Sequence, residues 1–410
     1  MKKLYAILLV SGLVFIANPR FVSASANGLP YSTYTYSTST NQLVRTQDAY
    51  LPLSIQDNIA GLELKEPQDI TVDANDIIYV ADTGNSRIIK YNLADDTVAT
   101  FGEGILDQPT GVHVDIEGSV YVADFGTKAA YKFVYNDGTG VYDLATTYAK
   151  PVGTPYFSDE DAFDPTKVIT DRGLNVYILL AGNINGLAEY ENDGTFFGYF
   201  GGNRIADTWD NTIKSLLFDE QQRREWFQMI PKPVYNIAVD PQGLILTTTK
   251  TESGYLKLNI ANYVYNQAEW GFDNVEDIFV GPYNTVFTIT SDGYIVEYDP
   301  NGSTLFIFSG PDSQNQKGLF TTPTGLAVDS KNNIYVVDKT TNALQVFVPT
   351  DFAVLVHQAI DLYFQGRYAE SLGPWTEVLK MNRLFDCVTA SVIPMLFVKS
   401  VTPPCFKVVH

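Results

Sequence analysis

Three histidines are all that this 410-residue sequence offers for proton transfer near neutral pH. His113 is the one that falls within a β-type run, Pro109-Thr110-Gly111-Val112-His113-Val114-Asp115. Similar runs carry Thr71, Ala238 and Ala327 at its position, so the imidazole is expected to protrude between inner strands or toward an open centre. A hydrogen-bonded core histidine is the simpler alternative. Hard oxygens come from Asp69, Thr110, Asn236, Glu276, Asp277 and Thr324. Together such groups could hold a cation such as calcium, which needs several oxygen ligands at once. In sequence they are scattered, with glycine or threonine where a further ligand would help, and no metal is expected. No Gly-x-Ser-x-Gly elbow, His-Glu-x-x-His motif, phosphate loop or cysteine–histidine pair is present. A different chemistry gathers at Trp209, Trp226 and Phe227, beside Arg223 and Arg224: large aromatic and basic side chains of the kind that anchor a partner.

The elements that must position these residues recur. From Glu66 the chain reads Pro67 to Asp73, Ile77 to Asp82, Arg87 to Tyr91 and Thr97 to Gly102, four short β-type runs separated by Asp, Asn and Gly turns. The pattern returns at Pro109, Pro165, Pro233, Val275 and Pro323. Repeats of about forty residues with four strands each indicate propeller blades. Each blade has two apolar faces, and only closure into a ring buries both. Asp73, Asp115, Asp240 and Asp329 end the first strand of their units, where a short acid caps turn amides.

The run Pro-x-Gly-Leu-x-Val-Asp, a turn, Ile-Tyr-Val-x-Asp and a further strand resembles the NHL repeat. The resemblance extends from about Glu66 to Phe347 and implies an all-β, six-bladed propeller. Tyr363-Phe364-Gln365-Gly366-Arg367-Tyr368-Ala369-Glu370-Ser371-Leu372 resembles a partial tetratricopeptide (TPR) helical pair, implying a short α-helical extension.

The domain expectations follow. Residues 1–26 read as a signal peptide: Lys2 and Lys3, an apolar stretch from Leu4 to Ala17, and small residues at Ala24-Ser25-Ala26. Residues 27–45, rich in Ser, Thr and Tyr, are expected to form a flexible lead-in. The propeller spans 46–349, with Thr46 to Ile55 supplying the outer strand of blade six and a helical insertion at 203–231. The TPR-like pair covers 350–382, and 383–410 is a degenerate tail. Cys387 and Cys405 both fall in that tail, so disulfides do not staple the ring, and whether the two pair stays open.

A formal charge of -20 repels phosphate backbones and excludes nucleic acid as a partner class. The expectation is a secreted or cell-surface binding or scaffold protein, leaning away from catalysis. It would engage a protein, peptide or glycan through a rim carrying Trp209, Trp226, Phe227, Arg223 and Arg224, or at His113, with no cofactor and no transmembrane span in the mature chain. The alternatives are a propeller enzyme of the lactonase or lyase type, as the resemblance allows, and a purely structural surface protein.

Overall fold

The computed structural model describes residues 28–158, 160–183, 185–201, 233–259, 263–383 and 385. The expected signal peptide, the insertion with Trp209, Arg223, Arg224, Trp226 and Phe227, and both cysteines lie outside the described residues.

Six antiparallel sheets form the blades of an all-β propeller. Their inner strands are Asp69–Val72, Pro109–Val114, Pro165–Thr170, Asn236–Val239, Val275–Val280 and Pro323–Val328. Each inner strand packs beside the next, and the sixth returns to the first, so the ring is closed. Side chains alternate between the two faces of each strand. Ile70, Ile78 and Val80 thereby meet Ala327, Tyr335 and Val337 of blade six, whereas Tyr79, Ala81 and Ile88 meet Val112, Val120 and Val122 of blade two.

Asp73, Asp115, Asp171, Asp240 and Asp329 cap the first turn of their blades. The Asp115 carboxylate accepts the Glu117 and Ser119 amides at 2.8 and 2.9 Å, and the Asp329 carboxylate accepts those of Lys331 and Asn333. A second set ends the next strand. Asp82, Asp124 and Asp338 accept amides from the loops entering their own blades, at Lys65, at Asp107 and Gln108, and at Thr321 and Thr322. These acids fix the loops that lead to the axis.

Ring closure is made by the chain start. Tyr50–Gln56 pairs antiparallel with Ala343–Pro349 as the fourth strand of blade six. Upstream of it, the segment expected to be a flexible lead-in is instead a hairpin, Tyr34–Ser37 and Gln42–Arg45, added to the outer edge of blade five. The Thr and Tyr content that reads as loose in sequence also suits an edge strand. Buried Thr35 donates to the Thr304 carbonyl, and Tyr36 stacks on Trp270 with centroids 5.5 Å apart.

After blade six come two helices, α1 (Asp351–Phe364) and α2 (Tyr368–Met381). Thr350 caps α1 by accepting the Ala353 amide, and Phe352, Val356, Ile360, Trp375 and Val378 join the core of blades five and six. A buried polar clamp adds to this packing: Glu297 accepts from Tyr50 at 3.0 Å and lies 2.6 Å from His357 Nε2. It ties the closing strand, blade five and α1 together. Among the described residues, no helix is long and apolar enough to cross a membrane.

Val328 is 4% exposed between blades, whereas Ile116 stands 75% exposed on a turn. Val328→Asp is expected to cost about 3–5 kcal/mol, the penalty of an uncompensated buried charge. Ile116→Asp should stay within about 0.5 kcal/mol of the parent. Urea unfolding of both variants checks this; equal midpoints would contradict the inter-blade core.

Candidate functional site at the mouth of the axial channel

Superposing the inner strands by their entry residue reveals two rings of equivalent positions. The outer ring is Gln68, Thr110, Thr166, Tyr235, Glu276 and Thr324. One residue further along, the inner ring is Asp69, Gly111, Lys167, Asn236, Asp277 and Gly325. In blades two, three, five and six the strand register shifts across the outer-ring residue. Such a bulge re-aims a side chain. All six outer-ring residues line one cavity of about 440 Å3 at the channel mouth, with Gln108, Phe125, Ala181 and Gly182 among its walls.

The inner ring is the floor. Lys167 Nζ lies 2.5 Å from Asp69 Oδ1 and 2.9 Å from Asp277 Oδ1. The second oxygen of Asp69 accepts the Val112 amide, and that of Asp277 accepts the Leu326 amide, each at 2.7 Å. Asn236 donates to Asp277 Oδ1 at 2.8 Å. One network therefore joins all six blades. The two glycines make it possible. A Cβ at Gly111 would stand 2.9 Å from the Lys167 Cα, and one at Gly325 would stand 2.9 Å from the Asp69 Cα.

Burial pushes the Asp69 carboxyl up and Lys167 pulls it back, with the facing Asp277 raising it again, to about 6. Burial works against the Lys167 charge, but Asp277 and Asp69 outweigh it and hold the ammonium above its usual value. The floor is thus one ammonium held between two acidic side chains.

On the cavity wall, Glu276 accepts from the Tyr235 hydroxyl at 2.8 Å and from Lys250 Nζ at 2.5 Å. Lys250 Nζ also sits 3.7 Å from the centroid of the Tyr235 ring. The carboxylate side chain keeps 20% of its surface exposed, and Tyr235 keeps 39%. Burial first, then Glu276, raises the Tyr235 phenol, so it stays a neutral donor. A carboxylate steered by two donors at an accessible wall can take a proton from a bound molecule, and the phenol can return one.

Of the oxygens expected to be scattered, Thr110, Asn236, Glu276 and Thr324 line the mouth, with Asp69 and Asp277 on the floor. The ring converges what the sequence spreads out. His113 stands apart from them, in a chamber of about 140 Å3 lined by Ile70, Val72, Val114, Val168 and Val239 as well as Asp69, Lys167 and Asp277. Its Nε2 is 3.0 Å from Thr170 Oγ1. Burial lowers it to about 4, so it is neutral, and it shares no hydrogen bond with Glu276 among the described residues. Lys167, Tyr235 and Lys250 are the side chains of this candidate site that motif reading misses; aligning the blades at the residue after Pro-x finds the first directly.

Calcium is the ion that a likeness to lactonase propellers would imply. The residues present do not fit it. The gap between Asp69 and Asp277 is filled by the Lys167 ammonium, and Asn236 aims its amide hydrogens, not its oxygen, at Asp277. Among the described residues, no three His, Cys, Asp or Glu side chains are placed to hold a metal.

The NHL repeat model matches residues 64–91 and 320–347, in blades one and six. Among curated proteins, no sequence matches this one. Solved structures share the fold. A virginiamycin B lyase from Staphylococcus aureus is 9% identical, over 78% of this chain and 99% of its own, with a TM-score of 0.45. A gluconolactonase from Xanthomonas campestris is 11% identical, over 78% and 95%, with a TM-score of 0.47. The PQQ domain of a pyranose dehydrogenase from Coprinopsis cinerea is 11% identical, over 74% and 98%, with a TM-score of 0.46. These are likenesses of fold. The leaning away from catalysis is corrected accordingly: the structures this chain is similar to include a lyase, a lactonase and a dehydrogenase domain.

The lowered His113 value has a measurable sign. An unfolded chain takes up a proton as pH falls through about 6.5, while the folded chain resists until about 4. Stability from this group is complete above about pH 6.5 and is lost as pH falls toward 4. Between pH 7 and pH 5 the loss is about 2 kcal/mol, at roughly 1.4 kcal/mol per pH unit below 6.5. His113→Gln should remove this component, narrowing the stability gap to wild type at pH 5. Urea unfolding at both pH values checks it; parallel pH dependences would contradict it.

Proposed function

We propose that this protein is a propeller enzyme of the lactonase or lyase type, acting on a small molecule at the mouth of its axial channel. The observation that carries this reading is Glu276, accessible at the cavity wall and held by Tyr235 and Lys250. A concave site with few convergent polar groups is where small-molecule chemistry is expected. In lactone opening, Glu276 takes a proton from water as the water oxygen bonds to the carbonyl carbon. The ring C–O bond then breaks, and the leaving oxygen takes the Tyr235 proton, which Glu276 restores. In elimination, Glu276 takes a proton beside the carbonyl, a carbon–carbon double bond forms as the C–O bond one carbon further breaks, and the leaving oxygen takes the Tyr235 proton, which Glu276 restores. Both begin with the same carboxylate.

Two further parts of the reading are supported by sequence alone. The basic, apolar and small-residue pattern of residues 1–26 supports action outside the cytoplasm. The helical pair is read as TPR-like on its Gly366-Arg367-Tyr368 turn. Partner contact through Trp209, Trp226, Phe227, Arg223 and Arg224 concerns a rim that lies outside the described residues.

Turnover of a panel of neutral lactones and β-substituted carbonyl compounds tests the assignment. Glu276→Gln should lower kcat by about 100-fold or more, the span of general acid–base catalysis, and Tyr235→Phe by less. Wild-type turnover in Glu276→Gln, or no turnover of any compound by the parent, would contradict it.

A further inference from the structure

Hydrogen-bond accounting at the cavity singles out one donor. The Thr110 hydroxyl donates to the Pro165 carbonyl, that of Thr166 to Leu179, and that of Thr324 to Pro67. Both amide hydrogens of Asn236 are spent, on the Glu276 carbonyl at 2.7 Å and on Asp277. Tyr235 is spent on Glu276. An ammonium has three hydrogens. Lys167 gives two of them to Asp69 and Asp277 and has no third partner among the described residues, yet it lines the cavity. Gln68 and Gln108 also line it, but no hydrogen bond among the described residues holds their side-chain amides in place, whereas two carboxylates hold Lys167.

We infer that Lys167 is the oxygen-binding donor of this site, and that the molecule it receives is a neutral carbonyl compound. This rests on the reading of the mouth as an enzyme site and names its substrate class. A donor locked between two carboxylates needs no reorganisation when an oxygen arrives, which is what makes a fixed donor effective where negative charge develops. Charge then selects the ligand. The floor carries two carboxylates to one ammonium, and Glu276 with Lys250 adds no net charge, so the site as a whole is negative. A carboxylate or phosphate would be repelled, whereas a carbonyl dipole would be held by its oxygen. With that oxygen on the floor, the carbon faces the wall where Glu276 stands.

The probes are δ-valerolactam, a lactone analogue that resists opening, and valerate, an acyclic anion with the same number of carbons. Wild type should bind the lactam at least tenfold more tightly than valerate by calorimetric titration. Glu276→Gln should retain the lactam. The double variant Asp69→Asn with Lys167→Met keeps the floor's net charge; once its fold is checked by circular dichroism, it should bind the lactam at least tenfold more weakly. Valerate bound as tightly as the lactam, no binding of the lactam to wild type, or an unchanged affinity in the double variant would overturn the inference. Should the double variant not fold, a crystal structure of wild type with the lactam decides: its carbonyl oxygen belongs on Lys167 Nζ, and placement on any other donor overturns the assignment. Undiminished turnover in Glu276→Gln would instead sink the assignment of the base while leaving lactam selectivity and the Lys167 contact standing.

Discussion

The ammonium of Lys167 between Asp69 and Asp277 is the constraint on which the rest of this propeller is organised. Three buried charges are expensive unless every lone pair and proton is matched. Here the remaining carboxylate oxygens accept the backbone of blades two and six, and blade four contributes Asn236. Blade identity is therefore not interchangeable. Gly111 and Gly325 sit in the blades after Asp69 and Asp277, and a Cβ at either would run into the inner-strand backbone of the following blade, at Thr166 and Lys167 or at Asp69 and Ile70. Local structure, packing and electrostatics agree at this point, which is what specifies a single ring closure rather than several.

The same floor divides the channel. Above it is a mouth to which each blade gives one outer-ring residue, set by a bulge in four of them. Below it is a smaller chamber that holds a neutral His113. Each blade thus contributes one floor residue and one wall residue, so chemistry is set at a dozen neighbouring positions on rigid strands. The acids Asp82, Asp124 and Asp338 hold the entering loops from outside. The closing strand, locked through Tyr50, Glu297 and His357, keeps the ring from opening at its seam.

Much of the fold was legible because it is periodic. Pro-x-Gly-Leu-x-Val-Asp and Ile-Tyr-Val-x-Asp repeat in register, and each capping acid follows from turn chemistry alone. The lead-in was misjudged because Thr and Tyr at residues 33–37 suit both a loose chain and an edge strand, and only the open edge of blade five decides between them. The site was harder. Asp69, Glu276 and Asp277 stand out as acids, but nothing local says they meet. Lys167 resembles an ordinary surface lysine until its blade is aligned with the others, and Lys250 reaches Glu276 from just beyond the second strand, Ile245–Thr248, of a different blade. Convergence across the axis is a property of ring closure, and sequence spacing does not display it.

Native-state hydrogen exchange at the Val112 and Leu326 amides tests the central claim most directly, because these two donors are bonded to Asp69 and Asp277 and report the floor itself. If the axial network is what closes the ring, both amides exchange only by global unfolding, with the same denaturant dependence as the slowest amides of the second strands. Exchange of either through a local, denaturant-independent opening would contradict that account, since the floor would then come apart while the blades stay folded.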